Sequence, residues 1–334
     1  MDGILYFPRK LAQVFLSLGS GFSLTSLLAA LVVAAAVIAW RRLRRHRPLR
    51  AGTVLRSLFP RWMVRHDSTL ADIGYFGFSV FVYGIIFGWA LISYKLYSGL
   101  VADGLTAVFG ALTPTAWDVA ARVVITLALF LAYEFGYWVD HYLKHRVPAL
   151  WELHKVHHSA NVLTPLTVWR LHPLDGVIFS NILAVSLGLT NGVANYLFGK
   201  PVTLFSIGDT NIILVLFVHV YVHLQHTHLW IAFTGLAGRI FLSPAHHQIH
   251  HSNNPVHFDK NLGSCLALFD WLFGTLHVPA KEPEPLVFGV KVGEADMHSF
   301  GELAIAPVQR AAAQVIQSVR GAEAPLAGPQ RTLS

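Results

Sequence analysis

Long apolar segments separated by short polar ones dominate this chain. Residues 24–40 contain no charged side chain and end at an arginine-rich stretch. Further apolar segments of similar length are residues 72–99, about 117–139, 175–198 and 201–222. Each is close to the ~20 residues that a helix needs to cross a bilayer. The pattern predicts an all-α, polytopic membrane protein with about four to five transmembrane helices, and a composition of 54% apolar and 13% charged residues agrees with it.

The distribution of positive charge predicts the orientation of these helices. Nine arginines lie in residues 41–70, directly after the first apolar segment. Positively charged loops stay on the cytoplasmic side of a membrane, so this loop is expected there. The formal net charge of +7 comes mostly from these arginines and indicates contact with anionic lipids, with no sign of nucleic-acid binding. The lone Cys265 excludes an intramolecular disulfide and a cysteine-based zinc or iron–sulfur site.

The order of these features along the chain predicts three regions. Residues 1–70 are expected to form an N-terminal membrane anchor helix and a basic linker. Residues 71–295 are expected to form the membrane domain that carries the chemistry. Residues 296–334 are expected to be a partly disordered tail with one helix at about 307–320, because the last residues are rich in proline and polar side chains.

Histidines supply the candidate chemistry. Fifteen of the nineteen histidines lie in residues 141–257, and most of them are three or four residues apart. This spacing places side chains on one face of a helix. The clusters are HxxxH at 141–145, HxxHH at 154–158, HxxxH at 219–223 and HxxHH at 247–251. Neutral imidazole is a common ligand of transition metals, so the clusters predict a metal site, and counting the apolar segments from the arginine-rich loop brings them all to the cytoplasmic face.

The number and type of these side chains indicate what the site binds. One ion takes about four to six ligands, whereas more histidines than that lie in the clusters, so two ions are expected. An all-nitrogen set suits iron, copper or zinc better than magnesium or calcium. The paired Glu-x-x-His motifs of soluble di-iron bundles and the HExxH of zinc proteases are absent from the sequence. Adjacent histidines, such as His157 and His158, point in different directions around a helix, so each could bind a different one of two neighbouring ions.

The order of the histidine motifs, together with the residues around them, resembles the fatty acid hydroxylase and sterol desaturase superfamily over about residues 75–295. Trp169-Arg170-Leu171-His172-Pro173 is similar to an R-x-H-P stretch of that family. Residues 224–228, LQHTH, are similar to its single-histidine segment before the last motif. The closing region, SPAHHQIHHS at 243–252 followed by DWLFGT at 270–275, carries the strongest similarity. The alkylglycerol monooxygenase-like and bacterial sterol desaturase-like members are nearest in character.

The resemblance implies an integral-membrane centre of two iron ions, for which zinc could substitute in purified protein. The implied ligands, which are also the implied catalytic residues, are His141, His145, His154, His157, His158, His226, His247, His250 and His251. His172 is a further candidate ligand, and His223 is an alternative to His226. Whether His219, His228 and His246 bind metal is left open. Nearby carboxylates could orient ligands or could equally form ordinary ion pairs or helix caps; they are Glu134, Asp140, Glu152, Asp175, Asp259 and Asp270.

The resemblance also implies the activity. A membrane-bound oxidoreductase of this kind uses O2 and an external electron donor, such as a cytochrome b5-like or ferredoxin-like protein, to hydroxylate or desaturate a lipid C–H bond. A separate donor is needed because the sequence has no flavin or nicotinamide fingerprint. The lipid could be a sterol, a fatty acyl chain or an ether lipid. Three alternatives stay open: a membrane b-type haem electron-transfer protein, a histidine-rich metal-binding or transport protein, and a membrane zinc hydrolase.

Overall fold

The computed structural model describes residues 5–290 and 300–320 and is almost entirely helical. The first half contains α1 (Tyr6–Leu16), α2 (Leu24–Arg44), α3 (Ala51–Leu58), α4 (Arg61–Val64), α5 (Asp67–Phe81), α6 (Tyr83–Phe87), α7 (Tyr94–Phe109) and α8 (Asp118–Arg146). The second half contains α9 (Pro148–His158), α10 (Pro173–Leu197), α11 (Ile212–Phe217), α12 (His223–Gln225), α13 (Gly235–Ile240), α14 (Pro244–His250), α15 (Leu268–Leu272) and α16 (Phe300–Val319). A two-residue antiparallel hairpin, β1 (Ser206–Ile207) and β2 (Thr210–Asn211), precedes α11.

Four helical segments of the described chain are long and apolar enough to cross a membrane. They are Leu24–Arg44, Tyr83–Phe109, Asp118–Arg146 and Pro173–Leu197. Many large apolar side chains on them are exposed on the protein surface, as expected of helices that face lipid. The prediction of an all-α membrane protein with about four to five such helices is confirmed.

Two of the predicted spans have different boundaries. The predicted span 72–99 is broken, because α5 ends at Phe81 and the chain is non-helical just before α7 begins at Tyr94. The side chain of Asn181, from α10, stabilises this break: its Oδ1 accepts from the Ile92 amide at 3.0 Å and its Nδ2 donates to the Ala90 carbonyl at 2.9 Å. A break in a membrane helix requires such replacement partners for its backbone groups.

The predicted span 201–222 is wrong. The turn at Gly208 and Asp209, with φ angles of 53° and 64°, forms the β1–β2 hairpin, so the helix begins only at Ile212. The helical stretch Ile212–Gln225 is shorter than a full span. Five π-helical residues, Val218–Val222, interrupt it just before His223.

Small residues let α10 pack closely against α7. A Cβ atom added at Gly188 would lie 2.4 Å from the Cβ of Tyr97, and one added at Gly192 would lie 2.6 Å from the Cβ of Val101. Beside them, the Ser98 hydroxyl donates to Asn191 Oδ1 at 2.7 Å. Close packing of glycine faces and hydrogen bonds between polar side chains are the usual ways in which helices associate within a membrane.

The candidate site lies at one end of this helical bundle. The last turns of α8, the whole of α9 and the first turn of α10 meet there, and α9 begins at Pro148, directly after α8 ends. Helix α16 packs on α9, where Arg310 Nε donates to Glu152 Oε2 at 2.7 Å. It corresponds to the helix expected at about 307–320. The rest of the predicted tail, 296–299 and 321–334, lies outside the described residues.

Candidate metal centre

Four separate elements bring nine buried histidines together. Two come from the last turns of α8, three from α9, one from the residue that follows α12, and three from α14 and the residue after it. Each set faces inward because its members are three or four residues apart on a helix. The nine are His141, His145, His154, His157, His158, His226, His247, His250 and His251, and none is more than 6% exposed.

The nine separate into two groups. A five-histidine group consists of His141, His145, His154, His158 and His250, and a four-histidine group consists of His157, His226, His247 and His251. Within each group, one candidate ligand atom per residue lies within 4.8 Å of all the others. Adjacent histidines on α9 go to different groups, and the same is true of the adjacent pair at 250 and 251. The geometry therefore has room for two neighbouring ions.

In three members of the five-histidine group, a hydrogen bond donated by Nδ1 leaves the Nε2 lone pair for a ligand. His141 Nδ1 donates to the Leu262 carbonyl at 2.8 Å, and His250 Nδ1 donates to the Lys260 carbonyl at 2.9 Å. His154 Nδ1 donates to Asp175 Oδ2 at 2.9 Å. The Nε2 atoms of all five residues are buried and have no hydrogen-bond partner among the described residues. Buried, unpaired lone pairs are costly without a ligand, so this arrangement fits a metal ion.

In the four-histidine group, the Nε2 atoms are crowded together. His226 Nε2 lies 3.2 Å from His157 Nε2, 3.2 Å from His251 Nε2 and 2.9 Å from His247 Nε2. Ligands that share one ion at metal–nitrogen distances of about 2.0–2.1 Å are roughly 2.9–3.4 Å apart. The spacing of the four nitrogens therefore also fits a single bound metal ion.

Electrostatics keeps these imidazoles neutral. Burial lowers the pKa of His154 to about 4, with an opposing contribution from Asp175, and lowers the pKa of His157 to about 3. Burial also lowers the pKa values of His247, His250 and His251 well below the ordinary value, and neighbouring histidines contribute to each shift. At neutral pH the rings therefore carry free lone pairs, which is the form that binds a metal.

Two of the proposed carboxylates contact histidines directly. Asp175 accepts from His154 and forms an ion pair with the buried Lys144, which also pairs with Asp140 Oδ2 at 2.6 Å. Asp259 Oδ1 lies 3.4 Å from His145 Nδ1 and pairs with Arg146 through its other oxygen at 3.3 Å. These carboxylates can fix the orientation of the rings that they contact.

Two other carboxylates, Glu134 and Asp270, accept hydrogen bonds from the loop that contains Leu262, whose carbonyl is the partner of His141. Glu134 Oε2 accepts from the amides of Cys265 and Leu266 at 3.0 and 2.7 Å. Asp270 accepts from the Leu262 amide at 2.8 Å, which fixes the residue whose carbonyl orients His141. Glu152, by contrast, pairs with Lys155 and Arg310 and contacts none of the nine histidines.

One buried ion pair beside the site was not predicted from the sequence. Arg170 and Asp72 are fully buried, with 3.1 Å between Nη1 and Oδ1, and Arg170 Nε donates to Ser159 Oγ at 2.9 Å. Ser159 directly follows His158, so the pair supports the end of α9. The signal available in the sequence was Asp72, a charged residue at the start of the apolar segment 72–99.

The structure does not place His172 and His223 with the other candidate ligands. His172 caps α10, where its Nδ1 accepts from the Leu174 amide at 3.2 Å and its Nε2 donates to the Ala304 carbonyl at 3.0 Å. His223 Nε2 bonds to Ser26 Oγ at 2.9 Å. Both rings are turned to other partners, so neither belongs to the two groups.

The histidines left open have other partners as well. His219 bonds to Thr25 and to the Val215 carbonyl, and His228 bonds to the Ser57 carbonyl. His246 bonds to Ser243 and to the Gly238 carbonyl. Of the segment around 219–228, only His226 therefore reaches the two groups.

The structure thus defines a helical membrane protein in which two groups of buried histidines converge. Residues 126–275 match the family model described as Fatty acid hydroxylase. This region contains all nine histidines, and the match confirms the predicted resemblance to the fatty acid hydroxylase and sterol desaturase superfamily.

Several curated proteins are similar to the chain. An ornithine lipid hydroxylase from Rhizobium tropici is 29% identical over 57% of this chain and 52% of its own length. An alkylglycerol monooxygenase from Danio rerio is 27% identical over 48% of this chain and 32% of its own. A Delta(7)-sterol 5(6)-desaturase from Aspergillus fumigatus is 31% identical over 52% and 55%. The chain thus spans about half or less of the length of these relatives, and no solved structure matches it.

Proposed function

We propose that this protein is a membrane-bound oxygenase that uses two iron ions, O2 and an external electron donor to hydroxylate or desaturate a lipid. The observation that carries the proposal is the pair of histidine groups, whose nitrogens are buried, neutral and aimed at two adjacent centres. The similarity to lipid hydroxylases, a monooxygenase and a sterol desaturase supports the choice of reaction.

Each group has a defined task in this proposal. The five-histidine group would hold one ion and the four-histidine group the other. Iron bound there would supply the activation of O2 that the oxidation of an unactivated C–H bond requires, because no acidic or basic side chain can attack such a bond. The protein itself would position the lipid, exclude water and fix the imidazoles through Asp175, Asp259 and the Leu262 carbonyl.

The overall reaction requires electrons from outside the chain. In hydroxylation, one oxygen atom enters the lipid and the other leaves as water, which consumes two electrons and two protons from the donor. In desaturation, two hydrogens leave the lipid and O2 becomes two water molecules with the same two donor electrons. The donor would be a cytochrome b5-like or ferredoxin-like protein.

The arginine-rich loop supports a cytoplasmic site. The Arg41 guanidinium donates to the Trp230 carbonyl, and the Ser57 carbonyl accepts from His228 at 2.8 Å. The loop therefore packs on the segment that directly follows His226. Because positively charged loops stay on the cytoplasmic side, we place both histidine groups at the cytoplasmic face, where soluble electron donors have access.

The spacing of the rings argues against the b-type haem alternative. A haem needs two imidazoles on opposite faces of a flat macrocycle. In the four-histidine group, neighbouring Nε2 atoms are only about 3 Å apart, so no macrocycle fits between them.

Comparing the lipids of cells that express wild-type protein or a histidine variant tests the proposal. His157→Ala removes a member of the four-histidine group, and His250→Ala removes a member of the five-histidine group. His228→Ala, outside both groups, is the control. We expect a lipid that gains 16 mass units or loses 2 with wild type and control, and no such change with either variant. If O2 and a reductant give no lipid change although two irons are bound, the proposal is wrong.

A further inference from the structure

An apolar cavity of about 360 Å³ lies beside the four-histidine group. Of the nine candidate ligands, only His226 lines it. The described wall contains no Asp, Glu, Lys or Arg side chain. Its size is within the range of about 300–1,000 Å³ that is usual for small-molecule sites. A molecule that fills this cavity would therefore lie against His226, with its buried part among side chains that carry no formal charge.

Part of the wall comes from a segment outside the family match. Residues 18–22, between α1 and α2, line the cavity together with Trp169 and the helix that contains Val215 and Val218. The first turn of α2 packs behind them and contacts His219 and His223, which line the cavity together with His226. Similarity over residues 126–275 therefore does not determine the shape of this cavity.

The hydrogen bonds of His219 are complete. Its Nδ1 donates to the Val215 carbonyl at 2.9 Å, so Nε2 carries the lone pair and accepts from the Thr25 hydroxyl at 3.1 Å. Neither ring nitrogen is left for a ligand. His219 therefore lines the wall as a polar side chain whose hydrogen bonds are already satisfied within the protein.

His223 differs from His219 because one of its nitrogens is free. The Ser26 hydroxyl donates to the Ser23 carbonyl at 2.9 Å, so Ser26 Oγ must accept from the Nε2–H of His223, also at 2.9 Å. The proton on Nε2 leaves a lone pair on Nδ1, which has no partner among the described residues. His223 also lines the cavity, one helical turn before His226, so its Nδ1 is an acceptor available to a molecule bound there. The rest of the wall is mainly apolar and includes the hydroxyl groups of Ser20, Tyr133, Thr210 and Ser264.

We propose that His223 Nδ1 accepts a hydrogen bond from the hydroxyl group of an uncharged lipid, whose apolar part fills this cavity. This inference rests on the proposed function and names its substrate class: a neutral, hydroxyl-bearing lipid. A carboxylate or phosphate would be excluded from this position, because burying a charge without a charged partner is costly. A molecule without a donor, such as a methyl ether, would leave the acceptor unsatisfied.

Binding of three matched probes to the purified full-length protein tests this inference. The probes are tetradecan-1-ol, 1-methoxytetradecane and myristate, in competition with radiolabelled tetradecan-1-ol. One hydrogen bond in a buried site changes affinity by about 3- to 10-fold, so the alcohol is expected to bind tighter than the ether by that factor. His223→Phe should reduce the ratio to about one, whereas His223→Gln, with an amide oxygen as acceptor, should preserve it. His228→Phe, outside the cavity, is the control and should leave the ratio unchanged.

An unchanged alcohol-to-ether ratio in His223→Phe would overturn the inference, and so would equally tight binding of myristate. If His223→Phe does not fold, Ser26→Ala replaces it. Loss of the serine hydroxyl frees the tautomer of His223, so the ratio should fall, and a wild-type ratio would again overturn the inference. The binding measurement is made on metal-free protein and does not depend on oxidation. A normal ratio, together with no lipid oxidation by the iron-loaded protein, would contradict only the proposed function.

Discussion

Asp175→Asn is the most informative perturbation of the five-histidine group. Asp175 is buried and joins His154 to Lys144: its Oδ2 accepts from His154 Nδ1 at 2.9 Å, and its Oδ1 pairs with Lys144. Asparagine keeps the shape but removes the charge that orients the ring and raises the basicity of its other nitrogen. Lys144 keeps Asp140 as a partner at 2.6 Å, so the variant does not leave a buried charge unpaired.

The expected loss of metal affinity can be calculated from this contact. Replacing an outer partner of a metal-bound histidine costs about 10- to 100-fold in affinity. This corresponds to about 1.4–2.8 kcal/mol, which agrees with the roughly 1.5–3 kcal/mol of a hydrogen bond to a charged group. Asp259→Asn should cost less, because the contact to His145 is 3.4 Å long and Asp259 is partly exposed.

Iron affinity, measured by competition with a chelator of known affinity in detergent, checks this prediction. Glu152→Gln is the matched control, because Glu152 is a buried carboxylate on the same end of the bundle that contacts none of the nine histidines. The iron affinities of the control should equal those of wild type. In Asp175→Asn, one of the two irons should be lost at a lower chelator concentration than in wild type. Equal affinities in Asp175→Asn and Glu152→Gln would refute the assigned role of Asp175.

Three further predictions concern stability, each measured by unfolding in detergent. The folded-state pKa values of His154 and His157, about 4 and about 3, lie below the unfolded value of about 6.5. The unfolded state therefore binds more protons than the folded state below about pH 6.5. The free energy of unfolding of metal-free protein should fall as the pH decreases from about 6.5 towards 3, by up to ~1.4 kcal/mol per pH unit for each histidine. A free energy of unfolding that does not change over this pH range would contradict the prediction. Gly192→Leu should lower the free energy of unfolding by about 1–3 kcal/mol or more, because its Cβ would overlap α7. Gly99→Leu is the control, because a Cβ atom at Gly99 meets open space. Equal effects of the two substitutions would contradict the close packing of α10 and α7. Arg170→Met should lower the free energy of unfolding by about 3–5 kcal/mol, because it leaves the buried Asp72 carboxylate on α5 without its ion-pair partner. A decrease below about 1 kcal/mol would contradict the role of this buried ion pair.

The family resemblance implied the nine histidines as ligands, and eight of them lie in HxxxH or HxxHH motifs. Such spacing is local and places side chains on one helix face wherever the helix lies. Which histidines form each of the two groups could not be predicted from the sequence, because it depends on how α8, α9 and α14 pack together. The choice of His226 over His223 depended on a distant partner, Ser26, which is 197 residues away in the sequence.

The failed span boundaries have the same kind of cause. Residues 72–99 are mostly apolar, with charges only at Asp72 and Lys95. The helix nevertheless breaks, because Asn181 from another helix satisfies the backbone at Ala90 and Ile92. The hydrophobicity of a segment does not show whether a side chain from another helix, such as Asn181, satisfies its backbone groups. The hairpin at Gly208 was a local signal, since Gly-Asp favours a turn, but the length of the apolar segment outweighed it.

The number of irons per chain tests the central claim most directly. Protein reconstituted with ferrous iron without oxygen, freed of loosely bound metal and assayed by mass spectrometry, should contain about two irons per chain. His251→Ala, from the four-histidine group, and His154→Ala, from the five-histidine group, should each reduce that number, whereas His228→Ala should not. A ratio of one or less in wild type, or the same ratio in all four proteins, would contradict the assignment of the two histidine groups to two metal ions.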